Sequence, residues 1–311
     1  MDSVVIITAL VHRISMMFLI ALVGVALVKS KKLGEKDGKT LATLVVYSFT
    51  PSQVIRAFLV KYTDETRDGL LFAIIVAVCI HILLLIICRL LRIIFPLGRV
   101  ERASLIYSNA GGLTLVLIPA MLGDEWVVYA SAFICIQIIF TWTHQLSLMQ
   151  DTTDINWKKI LLNPSMIAVL TGLILFFFDI SLPRILTDAV NSMAAAIPAV
   201  GMIIIGMRVA QTDWTTLMRG KRIYLIVFLK MIVFPGIILL FLKFSGIAGF
   251  VASGQTILLV SLLAVISPSA NTVAQLAQLF DQDPNYASAI NVLTTITCIF
   301  TMPLMVWLYL L

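Results

Sequence analysis

Two stretches of the sequence place small, polar and helix-breaking residues inside otherwise apolar segments. The first reads Ser108-Asn109-Ala110-Gly111-Gly112-Leu113-Thr114, with Pro119 further on, and the second reads Ser267-Pro268-Ser269-Ala270-Asn271-Thr272. Glycine weakens a helix, and proline removes an amide donor from its hydrogen-bond ladder. At membrane depth the freed backbone groups must line a cavity or be buried in protein. Both stretches therefore predict interrupted helices that can hold a polar ligand.

The chemistry of these stretches is neutral and rich in amides. Asn109 and Asn271 can donate hydrogen bonds to an anionic oxygen without carrying charge. The N-terminal end of a helix fragment adds free amides and partial positive charge, which favour a carboxylate. We therefore predict that the two stretches bind a small organic anion. The other predicted contacts within them are Gly111, Gly112, Ser267 and Pro268.

Two further polar residues occupy matching places in the segments that follow. The string Tyr-Ala-Ser-Ala begins at Tyr129 and again at Tyr286, and Gln137 and Thr294 each lie eight residues beyond the tyrosine. Eight residues are a little over two helical turns, so both side chains can face the same site. Thr141 extends the first face by one more turn. Gln137, Thr141 and Thr294 therefore join the predicted site.

Composition places the chain in a membrane. Of its 311 residues 60% are hydrophobic and only 12% are charged, and the mean hydropathy is +1.05. A soluble domain carries about 25% charged residues, so the bilayer must be the solvent here. The net charge of +6 does not indicate nucleic-acid binding, because the basic residues lie in short loops between apolar segments. The four cysteines lie in apolar runs, without the spacing of a metal site or a disulfide framework.

A window of about 20 apolar residues, the length that crosses a bilayer, predicts ten membrane helices and an all-α polytopic fold. Asp2 precedes the first segment and lysines follow it, which favours a retained helix over a cleaved signal peptide. The predicted segments are roughly 5–28, 40–60, 69–91, 103–122, 126–148, 164–180, 183–208, 222–243, 250–280 and 286–310.

The distribution of lysine and arginine predicts the orientation. Alternate loops hold fifteen basic residues, whereas the others hold only Lys61, Arg67, Arg184 and Lys243. Cytoplasmic loops are the basic ones, so both termini are expected on the outer side of the cytoplasmic membrane. The predicted cytoplasmic residues are Lys29, Lys31, Lys32, Lys36, Lys39, Arg89, Arg92, Arg99, Arg102, Lys158, Lys159, Arg208, Arg219, Lys221 and Arg222.

The ten segments divide into two halves of five, residues 1–149 and 150–311. An odd number of helices in each half makes the second half inverted relative to the first. The repeated Tyr-Ala-Ser-Ala string, at the start of the last helix of each half, supports this division. Inverted repeats are typical of secondary transporters, whose substrate site lies where discontinuous helices meet.

Motifs along the chain resemble those of the auxin efflux carrier family, within the bile/arsenite/riboflavin transporter-like superfamily. In the first half the similar residues are Tyr107-Ser108-Asn109-Ala110-Gly111, then Pro119, Gly123 and Tyr129. In the second half they are Ser267-Pro268-Ser269-Ala270-Asn271-Thr272, then Ala287, Thr295 and Pro303. Asn163-Pro164, Pro183, Pro198 to Gly206, and Pro235 are also similar, so the resemblance covers essentially the whole chain.

The resemblance implies that helices four and nine cross at their broken centres. It also implies a scaffold of helices 1, 2, 6 and 7 that forms a homodimer, and a moving transport domain of helices 3–5 and 8–10 that carries an organic acid by an elevator motion. Pro51 would then form part of a polar wall on the scaffold side. One position departs from the family, which commonly has a proline where this chain has Val116. The break in helix four is therefore expected to be displaced towards Pro119 or made by Gly111 and Gly112.

Two residues inside the segments are candidates for coupling. The acidic residues lie in loops or near segment ends, so the sequence offers no carboxylate at membrane depth as a proton relay. His81 is expected to be a packed, hydrogen-bonded histidine, with proton coupling as the sharper hypothesis. Lys230 is expected to snorkel to the membrane surface. The more specific hypothesis for Lys230 is that it contacts the C-terminal ends of helix fragments or the bound anion.

Other classes of protein remain as alternatives. A membrane enzyme would need a nucleophile, base or metal constellation, but His12, His81 and His144 lie on different segments without a carboxylate. We therefore expect neither an enzyme nor a cofactor or metal. A channel would lack saturable counterflow. The favoured alternative is a sodium-coupled symporter of the bile-acid type, with sodium bound by backbone carbonyls, Ser267, Thr272 or Gln137.

Overall fold

The computed structural model describes residues 3–150, 158, 161–212 and 220–311. This part of the chain is all-α, as predicted, and its only β-type pairing is one isolated bridge between two residues. Of the basic residues in the predicted cytoplasmic loops, Lys159 and Arg219 lie outside the described residues.

The helices overlap all the segments that the hydropathy predicts. In the first half they are α1 (Ser3–Lys29), α2 (Glu35–Leu44), α3 (Thr50–Phe58), α4 (Asp64–Ile94), α5 (Arg99–Ile106), α6 (Leu115–Met121), α7 (Val127–Phe140) and α8 (Leu146–Gln150). In the second half they are α9 (Pro164–Phe177), α10 (Arg184–Gln211), α11 (Lys221–Phe228), α12 (Phe234–Phe244), α13 (Gly254–Val265), α14 (Asn271–Leu279) and α15 (Pro284–Leu310).

Short π-helical turns join several of these helices into continuous rods. Val45–Phe49 joins α2 to α3, Thr141–Gln145 joins α7 to α8, and Leu229–Val233 joins α11 to α12. Pro51 and Pro235 follow the first and last of these turns. A proline ring clashes with the carbonyl four residues earlier, and the wider π turn relieves that clash without ending the helix.

Six of the described helical stretches are long and apolar enough to cross a membrane. Large apolar side chains also stand on the outer surface, such as Ile93 at 80% exposure and Phe300 at 75%. A soluble protein would not expose so many of them. The chain is therefore a multi-pass membrane protein. The six stretches are Val11–Lys29, Asp64–Ile94, Asp124–Gln150, Arg184–Gln211, Lys221–Phe244 and Pro284–Leu310.

Small residues bring certain helices into close contact. Gly206 of α10 faces the carbonyl oxygen of Ala21 on α1, and Gly24 of α1 faces that of Ile203, each too closely for a Cβ to fit. Only glycine permits this approach, which is the usual way in which membrane helices pack tightly. Gly172 of α9 instead makes room for the side chain of Phe58 on α3. One group of contacting helices therefore contains α1, α3, α9 and α10, while α4 packs on α7 and α14 packs on α15.

Candidate functional site

The two interrupted helices meet at their breaks. The first break separates α5 from the π turn Ala110–Thr114, and the second separates α13 from α14. Between the fragments the chain is extended, and Ser108 pairs with Ser269 in an antiparallel β-bridge. We call residues 107–109 and 267–270 the crossing.

Two backbone hydrogen bonds hold the crossing together. The amide of Asn109 donates to the carbonyl oxygen of Pro268 at 2.7 Å, and the amide of Ala270 donates to that of Tyr107 at 3.0 Å. The bridge thus satisfies backbone groups that have no helical partner at the breaks. Each interrupted helix supplies a backbone hydrogen-bond partner that the other one lacks. Membrane proteins tolerate irregular backbone at depth in this way.

The position of the first break corrects one prediction. The chain leaves the helix at residues 107–109, before the glycines, so the expectation of a break displaced towards Pro119 or made by Gly111 and Gly112 is wrong. The break is fixed by its pairing with the second interrupted helix. Pro119 lies inside α6 instead. It cannot donate to the carbonyl of Leu115, and the side-chain amide of Gln53 donates there at 2.9 Å.

Hydroxyl groups satisfy the carbonyls at the end of α13. Ser108 Oγ donates to the Val265 carbonyl at 3.1 Å, and Ser267 Oγ donates to that of Leu263 at 3.0 Å. Thr114 Oγ1 lies 2.9 Å from Ser267 Oγ. The last carbonyls of a helix have no partner within it, so these hydroxyls serve the C-terminal end of α13.

Side chains from α7 and α15 hold the two bridged serines in matching ways. Gln137 donates to the carbonyl of Ser108 at 2.8 Å and accepts from its amide at 3.3 Å. Thr294 accepts from the amide of Ser269 at 3.1 Å, and Asn291 donates to its carbonyl. Gln137 and Thr294, which occupy equivalent places in the sequence, therefore bind equivalent backbone atoms. Asn291 was missed by the sequence analysis, although an asparagine amid apolar residues was a visible signal.

The predicted contacts divide into buried and accessible residues. Thr141, Ser267, Pro268 and Thr294 are buried. Asn109, Gln137, Asn271 and Pro51 are partly exposed, as is Gly111, while Gly112 is exposed. A Cβ on Gly112 would lie 2.7 Å from Asn109 Oδ1, so the glycine leaves room for the Asn109 side chain. The buried set supports the crossing from behind, and so does Gln137, whose amide is engaged with the backbone of Ser108.

Lys230 lies under the crossing instead of reaching the membrane surface. Its side chain is buried, with 2% exposure. The ammonium donates to Ser108 Oγ at 2.9 Å and to the carbonyls of Leu105 and Tyr107 at 3.3 and 3.4 Å. The snorkelling interpretation is wrong, because the backbone carbonyls where the chain leaves α5 attract the cation inward.

His81 is packed between aromatic rings. Its ring stacks on Phe140 with centroids 5.2 Å apart and lies 4.8 Å from the ring of Phe133. Nδ1 is 2.7 Å from the Ala77 carbonyl, so this nitrogen carries the proton. A role for His81 in coupling stays a prediction.

Two cavities lie at opposite ends of α10. The larger, of about 1460 Å³, is lined by Arg208 near the end of α10, by residues 35–47, and by parts of α14 and α15. The smaller, of about 390 Å³, is lined by Thr187 and Asn191 of α10, and by Arg56 and Asp124. The rise of a helix places residues 191 and 204 about 20 Å apart. Arg56 and Asp124 form an ion pair of 3.0 Å in the lining of the smaller cavity.

Arg208 links the larger cavity to Asn271, the residue that follows the crossing. None of the predicted contacts is among the described residues that line this cavity, but Arg208 lines it and donates from Nη1 to Asn271 Oδ1 at 3.2 Å. Gln275 lies one turn further along α14 and lines the cavity too. The sequence analysis placed Arg208 in a cytoplasmic loop, whereas it belongs to the last turn of α10.

A multi-pass bundle with two paired helix breaks and a cavity beside them has the features of a membrane transporter. The sequence matches the family described as membrane transport protein over residues 9–156 and again over residues 152–306. The chain belongs to this family, the auxin efflux carriers, which confirms the resemblance seen in its motifs. Family members are transporters rather than enzymes. A comparison with curated proteins gives no match.

Proposed function

We propose that this transporter is a secondary carrier that moves a small organic anion, such as a carboxylic acid, across the cytoplasmic membrane by alternating access around the crossing. The observation that carries the proposal is the paired break at Ser108 and Ser269, with a large cavity beside it whose lining residue Arg208 hydrogen-bonds to Asn271, next to the break. Partly exposed amides and a guanidinium at such a break favour an anion over a cation.

The proposed architecture is ten membrane helices in two inverted repeats, residues 1–149 and 150–311. It is supported by the way in which Gln137 and Thr294, at the same distance from the two Tyr-Ala-Ser-Ala strings, hold the two bridged serines. We place both termini outside the cell, as the loop charges predict. The group of α1, α3, α9 and α10, together with α2, would be the scaffold that forms the dimer.

The two cavities support an elevator motion. Both lie along α10, between the proposed scaffold and the helices that carry the crossing. The larger lies at the end where basic loops predict the cytoplasm. The smaller, at the other end, has the ion pair of Arg56 and Asp124 in its lining. This arrangement corresponds to a carrier open to the cytoplasm, and sliding of the transport domain would open the opposite cavity.

The contacts of Lys230 favour a carrier that is independent of sodium. A sodium ion needs several oxygen ligands, and the backbone carbonyls at the break are the natural ones. Two of them, those of Leu105 and Tyr107, already accept from the Lys230 ammonium, as does the Ser108 hydroxyl. Gln137 is likewise engaged with the backbone of Ser108. The side chain of Lys230 thus occupies backbone acceptors that the alternative would use to bind sodium.

The first experiment screens malate, succinate, benzoate and indole-3-acetate for binding to the purified protein by thermal shift. A ligand at a hundredfold excess over Kd should raise the free energy of unfolding by about 2.7 kcal/mol. Asn109→Ala removes an accessible amide and should weaken binding by about 1.5–3 kcal/mol, the strength of a hydrogen bond to a charged group. Its own melting temperature should stay close to that of the wild type, because Asn109 holds the bridge by its backbone.

The second experiment measures counterflow of the bound acid in liposomes, with and without sodium. A carrier exchanges internal for external acid and accumulates label transiently, whereas a channel does not. Asn109→Ala and Asn271→Ala should both lose exchange. Normal transport by both variants would show that the site lies elsewhere, and uptake that requires sodium would favour the symporter.

A further inference from the structure

Arg208 is a cation placed inside the large cavity. It belongs to the last turn of α10, and its side chain is partly buried. Its neighbours in the lining include Gln211 and Thr212 on the same helix and Ala274 on α14. The guanidinium faces the crossing, since Nη1 donates to Asn271 Oδ1 at 3.2 Å.

The charge of Arg208 is not neutralised by any acid in the described part of the chain. Its hydrogen-bond partner there, Asn271, is neutral. Glu35 is the acidic residue among those that line the cavity, and it pairs with Lys39 at 2.9 Å. Lys158, an exposed side chain, adds a second cation to the lining. The described lining of the cavity therefore carries a net positive charge.

A guanidinium carries five N–H donors in a planar fork that fits a carboxylate with two parallel hydrogen bonds. A partly buried cation without a counter-ion is costly to hold, and a bound carboxylate offsets that cost. We propose that Arg208 binds the carboxylate of the transported acid at the cytoplasmic end of its path, and that this carboxylate displaces Asn271 Oδ1 from the guanidinium. The proposal rests on the proposed function and names the residue that recognises the acid group.

The position of Arg208 relates its contact with the acid to the proposed elevator motion. Arg208 lies on α10 and lines the cavity, and its partner Asn271 lies on α14, whose Ala274 and Gln275 line the same cavity. An acid held by both would tie the proposed transport domain to the scaffold only while the carrier is open on this side. Arg208 therefore acts in release to the cytoplasm or capture from it, whereas Asn109 binds at the crossing itself.

The test compares Arg208→Gln and Arg208→Lys with Lys158→Gln, which removes an exposed cation from the same cavity. The probes are benzoate and succinate, with benzamide and succinamide as uncharged counterparts, and the readouts are thermal shift and counterflow. We expect Arg208→Gln to lower the affinity for both acids by tenfold or more, as the loss of a charge-assisted hydrogen bond does. Arg208→Lys should lose less, Lys158→Gln should stay within about threefold of the wild type, and neither amide should bind.

Several outcomes would overturn the assignment. If Arg208→Gln binds both acids as the wild type does while Asn109→Ala does not, Arg208 is not the acid-binding residue and the proposed function stands. If Lys158→Gln loses as much affinity as Arg208→Gln, the general charge of the cavity is responsible instead. Should Arg208→Gln fail to fold, a folded Arg208→Lys with unchanged affinity would exclude the two-bond contact. If the wild type neither binds nor exchanges either acid or any of the screened acids, the proposed function itself fails.

Discussion

The two sides of the crossing differ in how far their polar groups are satisfied. On the buried side, Lys230 and Thr294, together with the partly exposed Gln137 beside them, have their donors and acceptors taken up by the chain itself. On the cavity side, Asn109 is partly exposed and Arg208 contacts only a neutral amide in the described part of the chain. The difference separates support from recognition. Substitutions on the buried side should change stability, and those on the cavity side should change binding.

The largest effect on stability is expected from Lys230→Met. This change removes the donor from two carbonyls and one hydroxyl that are buried at the break. Hydrogen bonds from a charged donor are worth about 1.5–3 kcal/mol each, and the Leu105 carbonyl loses its donor while the Tyr107 carbonyl keeps the amide of Ala270. Thermal unfolding in detergent should show a clear loss, while Lys221→Met, which removes an exposed lysine, should not. A Lys230→Met protein as stable as the wild type would mean that the ammonium does not hold the break.

A smaller loss is expected from Gln137→Leu and Thr294→Val. Gln137 serves both backbone groups of Ser108, whereas Thr294 serves only the amide of Ser269. Gln137→Leu should therefore destabilise more than Thr294→Val, which should cost about 1–3 kcal/mol. Thr297→Val on α15, whose hydroxyl bonds only within its own helix, is the matched control. Equal effects from all three would argue against the matching roles at the bridge.

The smallest expected effect is on the pH dependence of stability, and it concerns the ion pair between Arg222 and Glu101. Arg222 Nη2 donates to Glu101 Oε2 at 2.7 Å in the first turn of α5. Burial alone would raise the pKa of Glu101, but the hydrogen bonds from Arg222 and from the Gly98 amide outweigh it and hold the pKa below its usual value. A carboxyl with a lowered folded-state pKa stabilises the protein above its unfolded-state pKa, and the benefit is lost as the pH falls through the folded-state value.

Glu101→Gln should thus flatten the fall in melting temperature on acidification below the ordinary pKa of a glutamate, about 4.3. At neutral pH the variant should be less stable than the wild type, and the two should converge in acid. Glu125→Gln, an exposed acid, serves as the comparison. If the melting temperature of Glu101→Gln falls in acid as steeply as that of the wild type, this pair does not contribute to the pH dependence of stability.

Much of the fold and part of the candidate site could be predicted from the sequence. Helix positions follow from long apolar runs, and the two breaks follow from the polar and helix-breaking residues that interrupt those runs. Gln137 and Thr294 were found by their equal offsets from a repeated string. The depth and direction of Lys230 and Arg208 could not be found in this way. The position of Lys230 depends on the backbone carbonyls at the break after α5, and that of Arg208 depends on how α10 packs beside α14. Both are set by tertiary structure.

The bridge at the crossing also bears on the order in which the protein is made. The amide of Asn109 and the carbonyl of Tyr107 pair with Pro268 and Ala270, which are synthesised only after most of the chain. Backbone groups left unpaired in lipid cost several kcal/mol each. The first half therefore enters the membrane with its central break incomplete. Synthesis of the last helices closes that break, so assembly of the site is one of the final steps of folding.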